Sequence, residues 1–201
     1  MRFRETYGKM KKLVNEFISI ISHTERRNTM NEVLETIRSR RSIRSYKSDP
    51  VPRELIEQVL EAGMYAPTGK GMQSPIILAV TDKAVRDKLS AMNAKIMGSD
   101  SDPFYGAPVV LVVLADRSMP NHVYDGTLVM ENLMLAAHSL GLGSCWINRA
   151  REEFDSAEGK ALLKKWGIEG DWVGVGHCIL GYPAAEPKPA APRKPDYIVK
   201  V

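Results

Sequence analysis

The sequence predicts an α+β domain, and three observations carry that prediction. Helical and strand patterns mix along the chain without the regular strand–helix–strand spacing of a parallel sheet. Residues 108–115 form an unbroken Val-rich apolar run, the pattern of a strand covered on both faces. Residues 122–140 form a long helical pattern that is apolar around most of its circumference, which places it in a core or at a subunit interface.

Each element has its own signal. Leu13, Phe17, Ile20 and Ile21 give an amphipathic helix over 10–22. Thr29-Met30-Asn31-Glu32 reads as a capping box opening a helix to about Arg38. Pro52 suits a first helical position, and its helix runs to about Tyr65. Residues 66–75 hold two prolines and two glycines and read as a loop before a strand over 76–80. Asp82 caps a helix to about Met97, and 98–106 is a polar loop before the Val-rich strand. In the long helix Val129, Leu133, Ala136, Ala137 and Leu140 line one stripe, extended by Met130 and Met134, and Gly141 ends it as a C-cap. A short strand over 144–148, a helix over about 156–166 and a strand over 172–180 follow, the last with Gly174 and Gly176 on one face. Residues 184–195 are rich in Pro and Ala and read as extended surface chain, and 196–201 reads as a last strand.

Charge divides the chain in two. Of 201 residues, 28 are Lys or Arg and 24 are Asp or Glu, a formal net charge of +4. Residues 1–29 carry seven basic and three acidic groups and so hold the whole excess, while 30–201 is neutral. We therefore expect a basic, helical N-terminal extension over 1–29 and one main domain over 30–201, with no broad nucleic-acid surface on that domain. No apolar run approaches the roughly 20 residues of a membrane span, and the apolar stretch near the N-terminus is shorter than a secretory signal requires. Two cysteines, Cys145 and Cys178, make no disulfide framework. The expectation is a cytoplasmic protein with reduced thiols.

Four local features bear on chemistry. Arg40, Arg41, Ser42 and Arg44 offer three guanidiniums and a hydroxyl within five residues, a set that suits a phosphate; the alternative is a solvated basic helix end. In the loop from Ala66 to Pro75 the glycines permit close backbone approach to a flat ligand, and Gln73 offers donor and acceptor; the alternative is a plain turn. It is not a phosphate-binding P-loop, because Gly71 follows Lys70 and the order is helix to strand. Gly141-Leu142-Gly143 lies after a helix and before a strand, the reverse of a dinucleotide fingerprint. His23, His122, His138 and His177 show no metal-ligand spacing with the cysteines, and adjacent His177 and Cys178 point to opposite sheet faces, so neither a metal site nor a nucleophile–base pair is expected.

Four segments in order resemble the flavin-dependent nitroreductase family over about 30–201. These are Arg40-Arg41-Ser42-Ile43-Arg44-Ser45-Tyr46, Ala66-Pro67-Thr68 after the helix that Pro52 opens, Gly141-Leu142-Gly143-Ser144-Cys145-Trp146-Ile147, and Gly181-Tyr182-Pro183 with Pro192-Arg193-Lys194-Pro195. The resemblance implies a sheet flanked by helices in an intertwined homodimer with exchanged C-terminal segments and FMN at the subunit interface. It implies that Arg40, Arg41, Ser42 and Arg44 hold the phosphate, ribityl chain and one ring edge, with Arg193 also at the phosphate. Pro67, Thr68 and Gly69 would approach the ring from the partner, Met72 and Gln73 would border its edge, and Cys145, Trp146, Ile147 and Asn148 would line its other side. NADH or NADPH would be the electron donor and a nitroaromatic, quinone or similar small oxidant the acceptor, in a ping-pong cycle with no side chain as catalytic acid. Two positions depart from the family pattern. Gly71 stands where many members carry Asn, and Ala191 where some carry Lys. The first keeps open an alternative, a non-catalytic flavin- or nucleotide-binding protein.

Overall fold

The computed structural model describes residues 31–201; the expected helix over 10–22 and the cap at Thr29 lie outside the described residues. The chain divides into two units, 1–38 and 39–201, each described by itself. In the first, α1 (Glu32–Ser39) begins at Glu32. Its cap is Asn31, whose Oδ1 accepts from the Val33 N–H at 3.0 Å while its carbonyl accepts from the Glu35 N–H at 2.9 Å. Glu32 therefore stands at the first helical position and not at the third, where the capping-box reading puts it.

The second unit is built on a four-stranded, wholly antiparallel sheet of order β1-β2-β4-β3, with β1 (Ile76–Val80), β2 (Val109–Asp116), β3 (Gly143–Ile147) and β4 (Trp172–Gly181). The mixed helices and antiparallel strands are the expected α+β class. β2 is central, and every residue from Val109 to Ala115 is buried, because helices cover both sides. On one face lie α2 (Arg53–Met64) and α4 (His122–Ser139), packing Ile56, Val59, Met130 and Leu133 on Leu111, Val113, Cys178 and Leu180. On the other lie α3 (Lys83–Met97), α5 (Ala150–Asp155) and α6 (Ala157–Lys165), packing Leu89, Phe154 and Leu163 on Val110, Val112 and Ile179. No described helix is long and apolar enough to cross a membrane.

Several sequence signals act as read. Asp82 accepts from the Val85 N–H at 2.9 Å and opens α3. Gly141, at φ 76°, lets the Leu142 N–H reach back to the Ala137 carbonyl at 2.8 Å and its own N–H reach His138, which satisfies the end of α4. Ser156 caps α6 through the Gly159 N–H. Pro52 is an exception: it stands at the cap just before α2 and not at the expected first helical position.

Other features differ from expectation. Residues 196–201 form no strand; beyond the bridge at Pro183 the chain is exposed and forms no strand pairing among the described residues. The six-residue α5 was not expected, since it opens on Arg149 at φ 76° with no side-chain cap to announce it. Gly174 and Gly176 face opposite sides of the sheet. A β-bulge at Val175 breaks the period of two, so that Gly174 pairs with Leu114 and Gly176 with Val113. A β-carbon on Gly174 would meet the Ala150 carbonyl of α5, and one on Gly176 would meet Trp146 and Met130 on the α4 side.

Candidate functional site

The arginine-rich segment leaves α1 as an extended chain and docks on the free edge of β3. Ser42 pairs with Ser144 in a parallel bridge, and the Ile43 N–H donates to the Ser144 carbonyl at 2.9 Å. The segment is held again at its far end, where Tyr46 pairs with Pro183 and the Lys47 N–H donates to the Tyr182 carbonyl at 2.9 Å. The Tyr46 hydroxyl donates to the Ile43 carbonyl at 2.8 Å. Burial, aided by the nearby Cys145 and Cys178 thiols, holds that phenol far above its usual range, so it stays protonated.

This docking leaves polar groups aimed at nothing in the chain. Arg40 Nη1 and Ser144 Oγ are buried and have no hydrogen-bond partner among the described residues. Ser144 is only 2 % exposed, so its hydroxyl has no water to fall back on. Burial, then the charges of Arg40 and Arg41, hold the His138 imidazole below its ordinary value, which favours its neutral form. Unpartnered buried donors beside a cluster of guanidiniums form a receptor for an anion.

Two cavities flank the docked segment, and they divide its arginines. Arg44 lines one of about 180 Å³ with Trp146, Ile147, Asn148 and Arg149, closed by Asp102 and Tyr105 of the loop before β2. Arg41 lines another of about 510 Å³ with Lys47, His138 and Ser144, and its Nη1 donates to the Arg40 carbonyl at 2.7 Å. Cys145 itself is buried and faces the opposite core from Trp146.

Asp102 shapes the wall of the smaller cavity. It accepts from Arg86, from Ser90 Oγ at 2.6 Å and from the N–H groups of Phe104 and Gly106 at 2.9 and 2.7 Å. Partial burial works to raise its pKa, but these donors outweigh burial and hold the carboxyl down at about 2. Its charge is thus committed, and it does not neutralise Arg44 or Arg149.

The 66–75 loop forms a separate feature. Gly69 begins a short 3₁₀ turn (Gly69–Gly71), its N–H donating to Asp125 Oδ1 at 3.0 Å, and Thr68 Oγ1 accepts from the Gln73 N–H at 2.9 Å. Lys70, Gly71 and Gln73 all have positive φ. Thr68 and Gln73 line a third cavity, of about 400 Å³, over α2 and β1, distinct from the one that Arg44 and Trp146 line. Pro67 and Met72 are exposed beside them. Arg193 is exposed on the C-terminal tail. The structure thus unites Arg40, Ser42 and Arg44 with 144–148 and leaves the loop and Arg193 apart. Residues not singled out from sequence are Asp125, which anchors Gly69, and Asp102 and Arg149 of the cavity wall; none stands in a motif, and only folding brings them there.

Comparison with known proteins follows the same lines. Residues 37–101 and 94–182 match the Nitroreductase family. An NADPH-flavin oxidoreductase of Vibrio harveyi is 30% identical over 183 residues, covering 85% of this chain and 73% of that one. A nitroreductase with bound FMN from Bacteroides fragilis superposes with a TM-score of 0.78 at 31% identity, over 86% of this chain and all (100%) of that one. Another with bound FMN, from Desulfitobacterium hafniense, superposes at 0.77 with 26% identity, over 86% and 100%.

Proposed function

The chain belongs to the nitroreductase family, and from that premise we propose that it is an FMN-dependent oxidoreductase that passes electrons from NADH or NADPH to small oxidants such as nitroaromatics and quinones. The observation that carries the reading is the pair of buried, unpartnered donors, Arg40 Nη1 and Ser144 Oγ, at the junction where Ser42 docks beside Ser144. These residues fit a phosphorylated flavin. A cluster of guanidiniums would hold the anionic end, and the cavity walled by Trp146, Ile147 and Asn148 would take the planar end.

Bound FMN supplies the hydride chemistry, and the chain binds and orients it. Arg40 and Ser42 hold the phosphate. Arg44, which lines the smaller cavity, would supply a fixed cation for the negative charge of a reduced flavin. Trp146 keeps water from the ring, and the Tyr46 hydroxyl stiffens the segment that carries all three binding residues. No side chain is required as nucleophile or acid, because FMN would supply the redox chemistry. In a homodimer, the Pro67-Thr68-Gly69 turn, Met72, Gln73 and Arg193, which one chain leaves away from the cavity, would complete the site from the partner.

The test is an absorption spectrum of the purified protein, then anaerobic titration with each nicotinamide. A yellow protein that bleaches on NADH or NADPH supports the reading, and a colourless protein that refuses FMN overturns it. The departure at Gly71 supports the second reading, a non-catalytic flavin-binding protein; steady NADH turnover with a nitroaromatic or quinone disposes of it.

A further inference from the structure

Beneath the end of β3 lies a buried polar cluster that the flavin chemistry does not use. Glu153 of α5 and His177 of β4 are both 0% exposed, and Glu153 Oε2 lies 2.7 Å from His177 Nε2. Asn93 of α3, also 0% exposed, donates through Nδ2 to Glu153 Oε2 at 3.1 Å and to the Asn148 carbonyl at 2.8 Å. Its Oδ1 accepts from Arg149 Nε at 2.9 Å. A guanidinium can only donate and a carbonyl can only accept, so these partners fix the amide in one orientation with every contact matched.

Such a cluster is an uneconomical way to fill a core. Taking a carboxylate and an imidazole out of water costs desolvation, and apolar groups of the same volume would commonly serve stability as well. What the cluster holds is the Asn148 carbonyl and the Arg149 guanidinium. Arg149 enters α5 at φ 76°, a conformation unfavourable for a residue with a β-carbon, and its side chain runs inward to Asn93. The same two residues line the cavity of about 180 Å³ with Arg44 and Trp146.

We propose that Asn93, held by the buried Glu153, is a positioning residue of the flavin site: it clamps the Asn148 carbonyl and the Arg149 side chain, two residues that line the cavity with Arg44. The inference rests on the flavin reading above. It assigns to two buried residues a role in cofactor affinity that goes beyond holding the fold.

The experiment measures the FMN dissociation constant by fluorescence titration, the visible spectrum of the bound flavin, and the melting temperature without FMN. It compares the full-length protein with Asn93→Ala, Arg149→Gly and Leu162→Ala. Asn93→Ala is expected to weaken FMN binding about tenfold, the equivalent of one hydrogen bond to a charged group, and to shift the flavin absorption band. Arg149→Gly relieves the backbone, so its melting temperature holds or rises while FMN affinity falls; stability and binding then move apart, as a merely structural role does not allow. Leu162→Ala, in the α6 core, lowers the melting temperature and leaves FMN affinity unchanged. Wild-type affinity in Arg149→Gly, or equal weakening in Leu162→Ala and Asn93→Ala, overturns the proposal, and Arg149→Gly decides it even if Asn93→Ala does not fold. A wild-type protein without FMN affinity overturns the flavin reading and this inference together, an outcome distinct from binding that the variants leave untouched.

Discussion

Ser42 and Ser144 face each other across a parallel bridge, closed by the Ile43 N–H on the Ser144 carbonyl at 2.9 Å. Through this contact an arginine-rich connector becomes the wall of a site. The bridge sets Arg40 and Arg44 on either side of Ser42 and brings them to the strand that carries Trp146. A small displacement of this junction would separate the proposed phosphate end of the site from its proposed ring end.

The arginines of the connector are not equivalent. Arg40 carries a buried, unpartnered Nη1, whereas Arg41 lines the other cavity and binds the Arg40 carbonyl. Arg40→Ala is expected to weaken FMN binding by about 1.5–3 kcal/mol, the range for a hydrogen bond to a charged group, and Arg41→Ala by less. Fluorescence titration of both variants checks the order; equal losses would place Arg41 at the phosphate as well.

The same arginine sets the state of a neighbour. The His138 imidazole is held below its ordinary value first by burial and then by the charges of Arg40 and Arg41. Because the folded state resists this protonation, the group opposes folding as pH falls through the unfolded value of 6.5. Arg40→Ala should raise the His138 pKa, read as a shift of its ring resonances in an NMR pH titration. An unchanged midpoint would mean that burial alone sets it.

Asp102 gives the opposite sign. Its folded pKa of about 2 lies below the unfolded value of 3.8, so its contribution to stability is fully present above about pH 4 and is lost as pH falls toward 2. The wild type should therefore be more stable than Asp102→Asn at neutral pH, and the gap should close between pH 4 and 2. Melting temperatures across that range read it directly. Since Asp102 ties Arg86 and Ser90 to the loop that walls the smaller cavity, the variant should also weaken FMN binding.

Gly71 is a departure that the backbone can accommodate. It has φ 67°, and a β-carbon there would meet nothing within 4 Å. Asn is the residue other than Gly that best tolerates this region. Gly71→Asn should leave the melting temperature nearly unchanged, whereas Gly71→Val should cost about 1–2 kcal/mol. If the Asn side chain reaches the flavin as the family pattern implies, FMN should bind a few-fold tighter, about the worth of one neutral hydrogen bond.

Local signals in the sequence were readable where the physics was local. Asp82 caps α3 and Gly141 closes α4 because each satisfies groups a few residues away. The all-apolar run of β2 is buried on both faces because periodicity reports burial directly. What could not be read depends on distant partners. The inward turn of Arg149 needs Asn93, which lies 56 residues earlier. The tail at 196–201 has the β-branched residues of a strand but finds no edge in its own chain. The candidate site shows the same division: its binding residues stand in motifs, while Asp102, Asn93, Glu153 and His177, which shape and support it, do not.

The bulge at Val175 ties the sheet to the site and provides the most direct structural test. It turns Gly174 toward α5, where a β-carbon would lie 2.2 Å from the Ala150 carbonyl, a backbone atom that no side-chain rotation can move aside. Gly174→Ala must therefore push α5 off the sheet, at a cost of about 3 kcal/mol or more. That displacement pulls on Arg149 and Asn148 immediately before the helix, so FMN affinity should fall together with the melting temperature. Gly176→Ala meets only the side chains of Trp146 and Met130, which can yield, and should destabilise less. A Gly174→Ala protein as stable as wild type would show that Gly174 does not pack against α5.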